Sequence, residues 1–383
     1  MPAAEAPGMV MSRAKAKTSL IEQLAEANDS KLVEALATVE RLTERNVDLS
    51  RALDGYKRDM EKGYKLRQGM EKKLDLLSSI DLSVPSGNTG WLTLPPKKTN
   101  DHVGIANILI SDLHLDEVVD VRQMGGVNAY NRKIATMRMR NLGEKIAEVA
   151  FDYLTGIKYQ GITTWWAGDN FSGNIHEELK QTNEAPIMAS FDYWLDPIIE
   201  LLKFLADVFG SVHVPAVVGN HGRNTMKPVA KNRVQDNFDW LLMRVIHRQL
   251  GDDPRFTWDL PLTMDVVVKH YDHTYLMTHG DQFRGGSGIS GLMTPLSLGA
   301  FRKSKRQVSV GQPFDTMLLG HFHTYMTIPG IIVNGSLKGY DEWVASMNFG
   351  YEDPKQAFWI STPERGPVFH VAIEPMDRKR EGW

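Results

Sequence analysis

Five apolar runs in this chain end in Asp, Asn or His next to Gly or Ser. ILISDLHLD ends one run with Asp112 and His114, TTWWAGDN another with Asp169, AVVGNHGRN a third with Asn220 and His221, YLMTHGD a fourth with His279, and MLLGHFHT the last with His321 and His323. A short apolar run that stops at such residues reads as a strand opening into a loop, and in α/β sheets ligands bind beyond the carboxyl ends of the strands. Loops of this kind can bring carboxylates, imidazoles and an amide oxygen into one crevice, a mixed oxygen and nitrogen set that suits manganese, iron or zinc. Taken singly each block is weak, because a lone His is more often a hydrogen-bonded structural residue than a ligand. The weight lies in the set of five.

Their order, D-x-H, G-D, G-N-H, H-G and G-H-x-H, resembles that of the calcineurin-like metallophosphoesterase superfamily. The resemblance runs from about residue 105 to 337 and takes in Asn334-Gly335-Ser336, a turn such enzymes often carry after the last histidines. It implies that Asp112, His114 and His323 bind one metal ion, that Asn220, His279 and His321 bind a second, and that Asp169 bridges them. It further implies two divalent ions, manganese first and iron or zinc as alternatives, roughly 3.5–4 Å apart, whose shared hydroxide attacks phosphorus in line with the leaving oxygen. His221 is the residue the resemblance assigns to phosphate contact and protonation of the leaving group. The chain departs from the superfamily at the next position, where an Asp or Glu usually follows and orients this His; here Gly222 and Arg223 follow it. Another acid could take the place of the missing one. Arg223 could bind a substrate phosphate through its planar fork of donors, or be a surface residue of a Gly-Arg-Asn loop.

Two basic stretches flank the blocks. Arg122, Arg132, Lys133, Arg138 and Arg140 follow the first, and GGSGISG with Arg302-Lys303-Ser304-Lys305-Arg306 stands between His279 and His321. Flexible basic segments beside a phosphodiester-cleaving centre could track a nucleic-acid backbone, with Arg302, Lys303, Lys305 and Arg306 as contacts; the alternative is a solvated charge run. His176, on the loop after Asp169, is a further candidate for substrate contact. Trp165 and Trp166 lie inside a strand and read as core. His102, His213, His247, His270, His273 and His370 match no block and read as structural.

Around these loops, strand-like and helical runs alternate. Strands are expected at 105–110, 162–167 and 212–218, and helices at 134–153, 186–209 and about 232–250, the pattern of helices on a largely parallel sheet. After Phe256 the chain becomes strand-rich, with a hairpin of 264–271 and 274–278 about an Asp272-His273 turn, then strands at 315–319, 331–333, 357–361 and 368–373. The expected fold is α/β, a two-sheet sandwich flanked by helices, the four-layer metallophosphoesterase fold. Residues 1–18 read as a disordered tail, 81–101 as a Pro- and Gly-rich linker and 102–383 as the metallophosphoesterase domain. Between tail and linker, residues 19–80 are Leu-, Glu-, Lys- and Arg-rich and lack proline. Leu32, Leu36 and Val39, then Leu42, Leu49, Leu53, Tyr56 and Met60, follow a heptad with one slip if Asn46 fills a core position. A lone core Asn fixes register in two-stranded coils, so a coiled coil joining copies of the chain is expected, with a helix folded back on its own domain as the alternative.

Composition narrows the class. With 44 basic and 47 acidic residues and a pI near 6.5, no global charge points to nucleic acid or an anionic membrane, so any phosphate-binding surface must be local. The absence of cysteine excludes disulfides and thiolate sites and fits a reducing compartment. With no signal-like or membrane-spanning run, a cytoplasmic protein without a membrane partner is expected. The leading functional reading is a metal-dependent phosphoesterase acting on phosphodiester bonds, a DNA nuclease. A small-molecule pyrophosphatase or phosphomonoesterase is the alternative, since SDLHL and HGD resemble the branch that cleaves nucleotide-linked lipid precursors. A non-catalytic scaffold is the third, disfavoured because every expected ligand is present.

Overall fold

The computed structural model describes residues 30–78, 102–283 and 291–383, which fall in two compact units, Met1–Lys97 and Lys98–Trp383. The expected tail, the linker up to residue 101 and the glycine-rich stretch up to residue 290 lie outside the described residues. In the first unit the described residues form one helix, α1 (Ser30–Ser78), of 49 residues. Leu32, Val39, Leu42, Leu49, Leu53 and Met60 are exposed along it.

The second unit contains, in order, β1 (His102–Ile110), α2 (Arg132–Glu148), β2 (Ile157–Trp166), α3 (Glu177–Thr182), α4 (Ile187–Phe209), β3 (Val212–Pro215), α5 (Phe238–Leu250), β4 (Phe256–Asp259), β5 (Asp265–His270), β6 (His273–Thr278), α6 (Met293–Ser309), β7 (Thr316–Leu319), β8 (Met326–Ile328), β9 (Ile331–Val333), α7 (Glu342–Ser346), β10 (Gln356–Thr362), β11 (Gly366–Ile373) and α8 (Arg378–Glu381). The strands form two mixed sheets, ordered β11-β10-β1-β2-β3-β4 and β5-β6-β7-β9-β8. β1 to β4 are mutually parallel in the first sheet, as are β6, β7 and β9 in the second.

Side-chain alternation along the strands builds the layers. Leu109, Trp165, Val217, Tyr275, Met277, Leu318, Ile332 and Trp359 pack together between the sheets. Their neighbours point outward: Ile108, Ile110 and Trp166 meet α2, α4 and α5, while Leu276, Met317, Leu319 and Val333 meet Leu296 of α6. The two adjacent tryptophans thus serve opposite faces of one strand. Trp165 lies between the sheets and donates to Asn107 Oδ1 at 3.0 Å, which satisfies its indole N–H in the core.

Several boundaries differ from the sequence expectation. The hairpin turns at Tyr271-Asp272, one residue earlier than expected, with His270 paired to His273 and Tyr271 at φ 53°. α5 begins at Phe238 because Asn237 caps it, accepting from Asp239 N at 2.8 Å. β4, β8 and α6 were not legible. The stripe of α6 that faces the sheet comprises Leu296, Gly299, Lys303 and Gln307, helical in spacing but mostly not apolar, so hydropathy does not reveal it.

The first basic stretch serves structure. Arg138 is fully buried, doubly paired with Glu381 at 3.0 Å, and donates to the carbonyls of Leu337, Lys338 and Ala129. Arg132 is paired with Asp116 at 2.6 Å and Arg122 with Asp120 at 2.7 Å.

Candidate metal centre

The exits of five parallel strands, β1, β2, β3, β6 and β7, carry all eight residues singled out at the strand ends. The loops after β1 and β2 run side by side: Asp112 N donates to Gly168 O at 3.0 Å, His114 N to Asp169 O at 3.1 Å and Leu115 N to Asn170 O at 2.9 Å. The loops after β6 and β7 are joined by Gly320 N to His279 O at 2.9 Å. Across the sheets, His321 N donates to both carboxylate oxygens of Asp112 at 3.0 Å. Gly320 is needed for that approach, since a Cβ there would stand 2.6 Å from Asp112 Oδ2. Asn334 braces the end of β1 from below, donating to Leu109 O and Ser111 Oγ, and Ser336 Oγ donates to Asp112 O at 2.8 Å.

These loops gather three overlapping groups of possible ligand atoms: Asp112, His114 and His323; Asp169, His279 and His321; and His114, Asp169 and His221. Asp169 and His114 each belong to two of them. His114 Nε2 and His323 Nε2 lie 3.0 Å apart, and His323 Nε2 is 3.4 Å from Asp112 Oδ1. His279 Nε2 lies 3.0 Å from Asp169 Oδ2 and 3.1 Å from Asn220 Oδ1. Nδ1 of His279 donates to Ala167 O at 2.7 Å, which leaves Nε2 to face the other donors. The donor set, nitrogen and carboxylate oxygen with one amide oxygen, fits a divalent transition metal at each of two adjacent positions.

Backbone conformation marks the same residues. Asp112 (φ 53°), His114 (φ 45°), Asp169 (φ 54°), His321 (φ 71°) and His323 (φ 51°) all adopt the left-handed region. Such conformations cost on the order of 1–3 kcal/mol each in non-glycine residues and concentrate at functional sites.

His221 is oriented without an acid beside it. Its Nδ1 lies 2.8 Å from Ser172 O, and since a carbonyl can only accept, the ring is the donor and Nε2 is left free. The ring stands edge-on to that of His114 with centroids 4.5 Å apart, and the backbone N–H of His221 donates to Asp169 Oδ1 at 2.7 Å. His176 is exposed, its ring 5.5 Å from that of His221. Arg223 spends its guanidinium on its own loop, donating to the carbonyls of Thr225, Asn220 and Met226 at 2.9–3.0 Å. The expected flexible run at 302–306 is instead part of α6, with Lys303 buried against Asp265 at 2.6 Å and Gln282 at 2.8 Å, and Arg306 paired with Asp265. Arg302 and Lys305 are exposed on that helix.

Three residues were missed by the sequence reading. Asp239, buried at the start of α5, accepts N–H groups from Gly219, Asp169 and Asn170. Arg233 pairs with Asp281, two residues after His279, and the two share the wall of a cleft of about 420 Å³ with Asn220 and His321. Nothing in periodicity marks Asp239, whereas Asp281 stands inside the HGD block itself.

No family model and no curated protein matches the sequence. Among solved structures, wild-type Vps29 complexed with zinc from Entamoeba histolytica is 15% identical, covering 70% of this chain and 99% of its own at a TM-score of 0.28. Vps29 from Cryptosporidium parvum is 13% identical, covering 70% and 96% at 0.28. The sulfate thiohydrolase SoxB from Thermus thermophilus is 9% identical, covering 73% and 57% at 0.29. Overlaps this slight decide nothing, and the chain's own side chains remain the basis for function.

Electrostatics set how the site would load. Burial lowers His279, but the Asp169 carboxylate outweighs it and holds the imidazole raised to about 10. Burial, reinforced by Lys338 and His221, lowers His114 to about 4, and burial with His279 lowers His321 to about 4. At neutral pH His114 and His321 are therefore ready to ligate, while a proton on His279 Nε2 competes with a metal for the oxygens of Asp169 and Asn220. In the metal-free protein the raised His279 stabilises the fold below its unfolded pKa of about 6.5, and that contribution is lost as pH rises through about 10. Manganese affinity should correspondingly rise with pH towards 10, with about one proton released per protein at pH 7.5. Calorimetric titration in buffers of different ionisation enthalpy measures this; heats independent of the buffer would contradict it.

Proposed function

We propose that this chain is a dinuclear metallophosphoesterase of the calcineurin-like type that hydrolyses phosphodiester bonds. The observation that carries the reading is the position of Asp169, which is grouped with His279 and His321 on one side and on the other with His114, itself grouped with Asp112 and His323. One ion would be held by Asp112, His114 and His323, the other by Asn220, His279 and His321, with Asp169 between them. Manganese, iron or zinc bound there would supply positive charge to the phosphoryl oxygens and acidify a water.

The chain's own groups would do the rest. Asp112 and Asp169 hold the ligand cluster through backbone N–H groups from neighbouring loops. His221, with Nδ1 fixed on Ser172 O, keeps Nε2 available to contact the phosphate and protonate the leaving oxygen. His176 stands beside it as a further contact.

For the substrate, the cleft beside Asn220 and His321 favours a phosphodiester with a second anionic group. Arg233 lines it but is paired with Asp281, so the cations offered there are Lys227 and Lys231, exposed on the same loop. A DNA strand is the substrate proposed, since regular phosphates along a backbone match cations spaced along a loop. Arg302 and Lys305 of α6 are the contacts retained from the second basic stretch; Lys303 and Arg306 are committed to Asp265.

The test is parallel assay with manganese on single-stranded DNA, duplex DNA, a nucleotide pyrophosphate and an aryl phosphate. DNA cleavage should be abolished by chelation and restored by manganese. His221→Ala should lower turnover about 10²–10⁴-fold with metal content unchanged, and less on a substrate with a good leaving group. Robust pyrophosphate hydrolysis without any DNA cleavage would overturn the nuclease reading, and metal-independent activity would overturn the mechanism.

The first unit is proposed to join two copies through the heptad face of α1, whose apolar side chains are exposed on the single helix. Light scattering should give twice the chain mass for the full protein and a single mass once residues 1–90 are removed. A full-length monomer would contradict this.

A further inference from the structure

The acid expected after His221 is absent from the sequence, yet a carboxylate occupies its neighbourhood. Asp239 is buried at 1% exposure in the first turn of α5. Its Oδ2 accepts from Gly219 N at 2.9 Å and Asp169 N at 3.1 Å, and its Oδ1 accepts from Asn170 N at 3.1 Å and Asn170 Nδ2 at 2.9 Å. Four donors fill the four acceptor positions of a carboxylate. The same helix turn grips the far side of the β3 loop: Asn237 Nδ2 donates to Gly219 O at 2.9 Å and Phe238 N to Gly222 O at 2.7 Å.

These bonds join the two loops that carry the bridging Asp169 and Asn220, and no other side chain receives N–H groups from both among the described residues. The ladder between their strands ends with Val217 N on Trp166 O at 2.9 Å, and beyond it the tips are also tied by His221 N to Asp169 Oδ1 at 2.7 Å and His221 Nδ1 to Ser172 O at 2.8 Å. Gly222 shows where the clamp sits. A Cβ on that glycine would stand 2.9 Å from the carboxyl carbon of Asp239 and 2.3 Å from Asn237 Oδ1. A side chain at position 222 and the Asp239 carboxylate would therefore claim the same space.

We propose that Asp239 is a positioning residue that sets the separation of Asp169 and Asn220, delivering from α5 the carboxylate that a side chain at position 222 would otherwise bring. The inference rests on the reading of Asp169 and Asn220 as metal ligands. It explains why Gly stands after His221, and why His221 must find its own orienting partner in Ser172 O. Asp239 touches neither substrate nor metal in this arrangement and acts only through the backbone of the residues that do.

The test measures manganese affinity of the full chain by calorimetry, with the wild-type protein as control. Asp239→Asn keeps the shape but turns an amide N–H₂ against N–H donors, and should weaken manganese binding about 10–100-fold with the helical and strand content unchanged by circular dichroism. The swap is then tested in an Asn237→Ser background, which removes the second obstacle and keeps a capping residue. There Gly222→Asp alone should weaken binding, Asp239→Ala alone should weaken it, and the two together should bind at least tenfold more tightly than Asp239→Ala alone. Unchanged affinity in Asp239→Asn, or a pair no better than Asp239→Ala alone, overturns the proposal. Should Asp239→Asn fail to fold, the paired variant decides: a folded, manganese-binding protein supports the proposal and an insoluble one overturns it. A wild-type protein that binds no manganese would instead remove the metallophosphoesterase reading on which it stands.

Discussion

Electron-rich groups crowded together away from water are the constraint around which the second unit is built. Asp112 and Asp169 are almost fully buried, and the ring nitrogens of His114 and His323 face each other at 3.0 Å. Removing a carboxylate from water costs several kcal/mol unless it is compensated. Much of the compensation comes from the backbone of neighbouring residues in the cluster: His321 N–H binds the Asp112 carboxylate, and His221 N–H binds that of Asp169. The clustered residues therefore hold one another in place.

That arrangement dictates the sheets. Parallel strands send their carboxyl ends to one edge, so β1, β2 and β3 of one sheet and β6 and β7 of the other can discharge their loops into a common crevice. The core between the sheets, built on Trp165, Tyr275 and Trp359, keeps the two edges at a fixed separation. Further support lies behind the ligands. Lys338, buried between Glu117 and Asp341, holds Glu117 ionised well below the usual carboxylate range despite its burial, and Glu117 Oε2 approaches His114 Nδ1 at 3.3 Å without the alignment of a hydrogen bond. Left-handed backbone at five residues of the cluster is the strain this packing sustains.

The metal-binding candidates were legible because they interrupt apolar runs five times over, and the repetition carries a weight that no single polar strand end has. The layers were legible for a related reason, since alternation and β-branched runs mark strands covered on both faces. What escaped notice depends on contacts distant in sequence. α6 buries Gly299, Lys303 and Gln307, so its inward stripe carries no apolar signature, and a run of five residues that reads as a solvated or phosphate-tracking patch is divided by the helix into buried and exposed members. Arg138 looks like surface charge in sequence and is a buried tie to the C-terminal α8. Asp239 lies 70 positions from Asp169, and only the fold brings the carboxylate under that loop. The missing acid after His221 was visible as a gap, but not the residue that fills its space.

In the proposed mechanism one carboxylate, Asp169, serves two ions. Crystals grown with manganese and measured on both sides of its absorption edge test this directly. Two anomalous peaks are expected, one ringed by Asp112, His114 and His323 and the other by Asn220, His279 and His321, with an oxygen of Asp169 reaching each. A single peak, or two peaks that do not share Asp169, would contradict it.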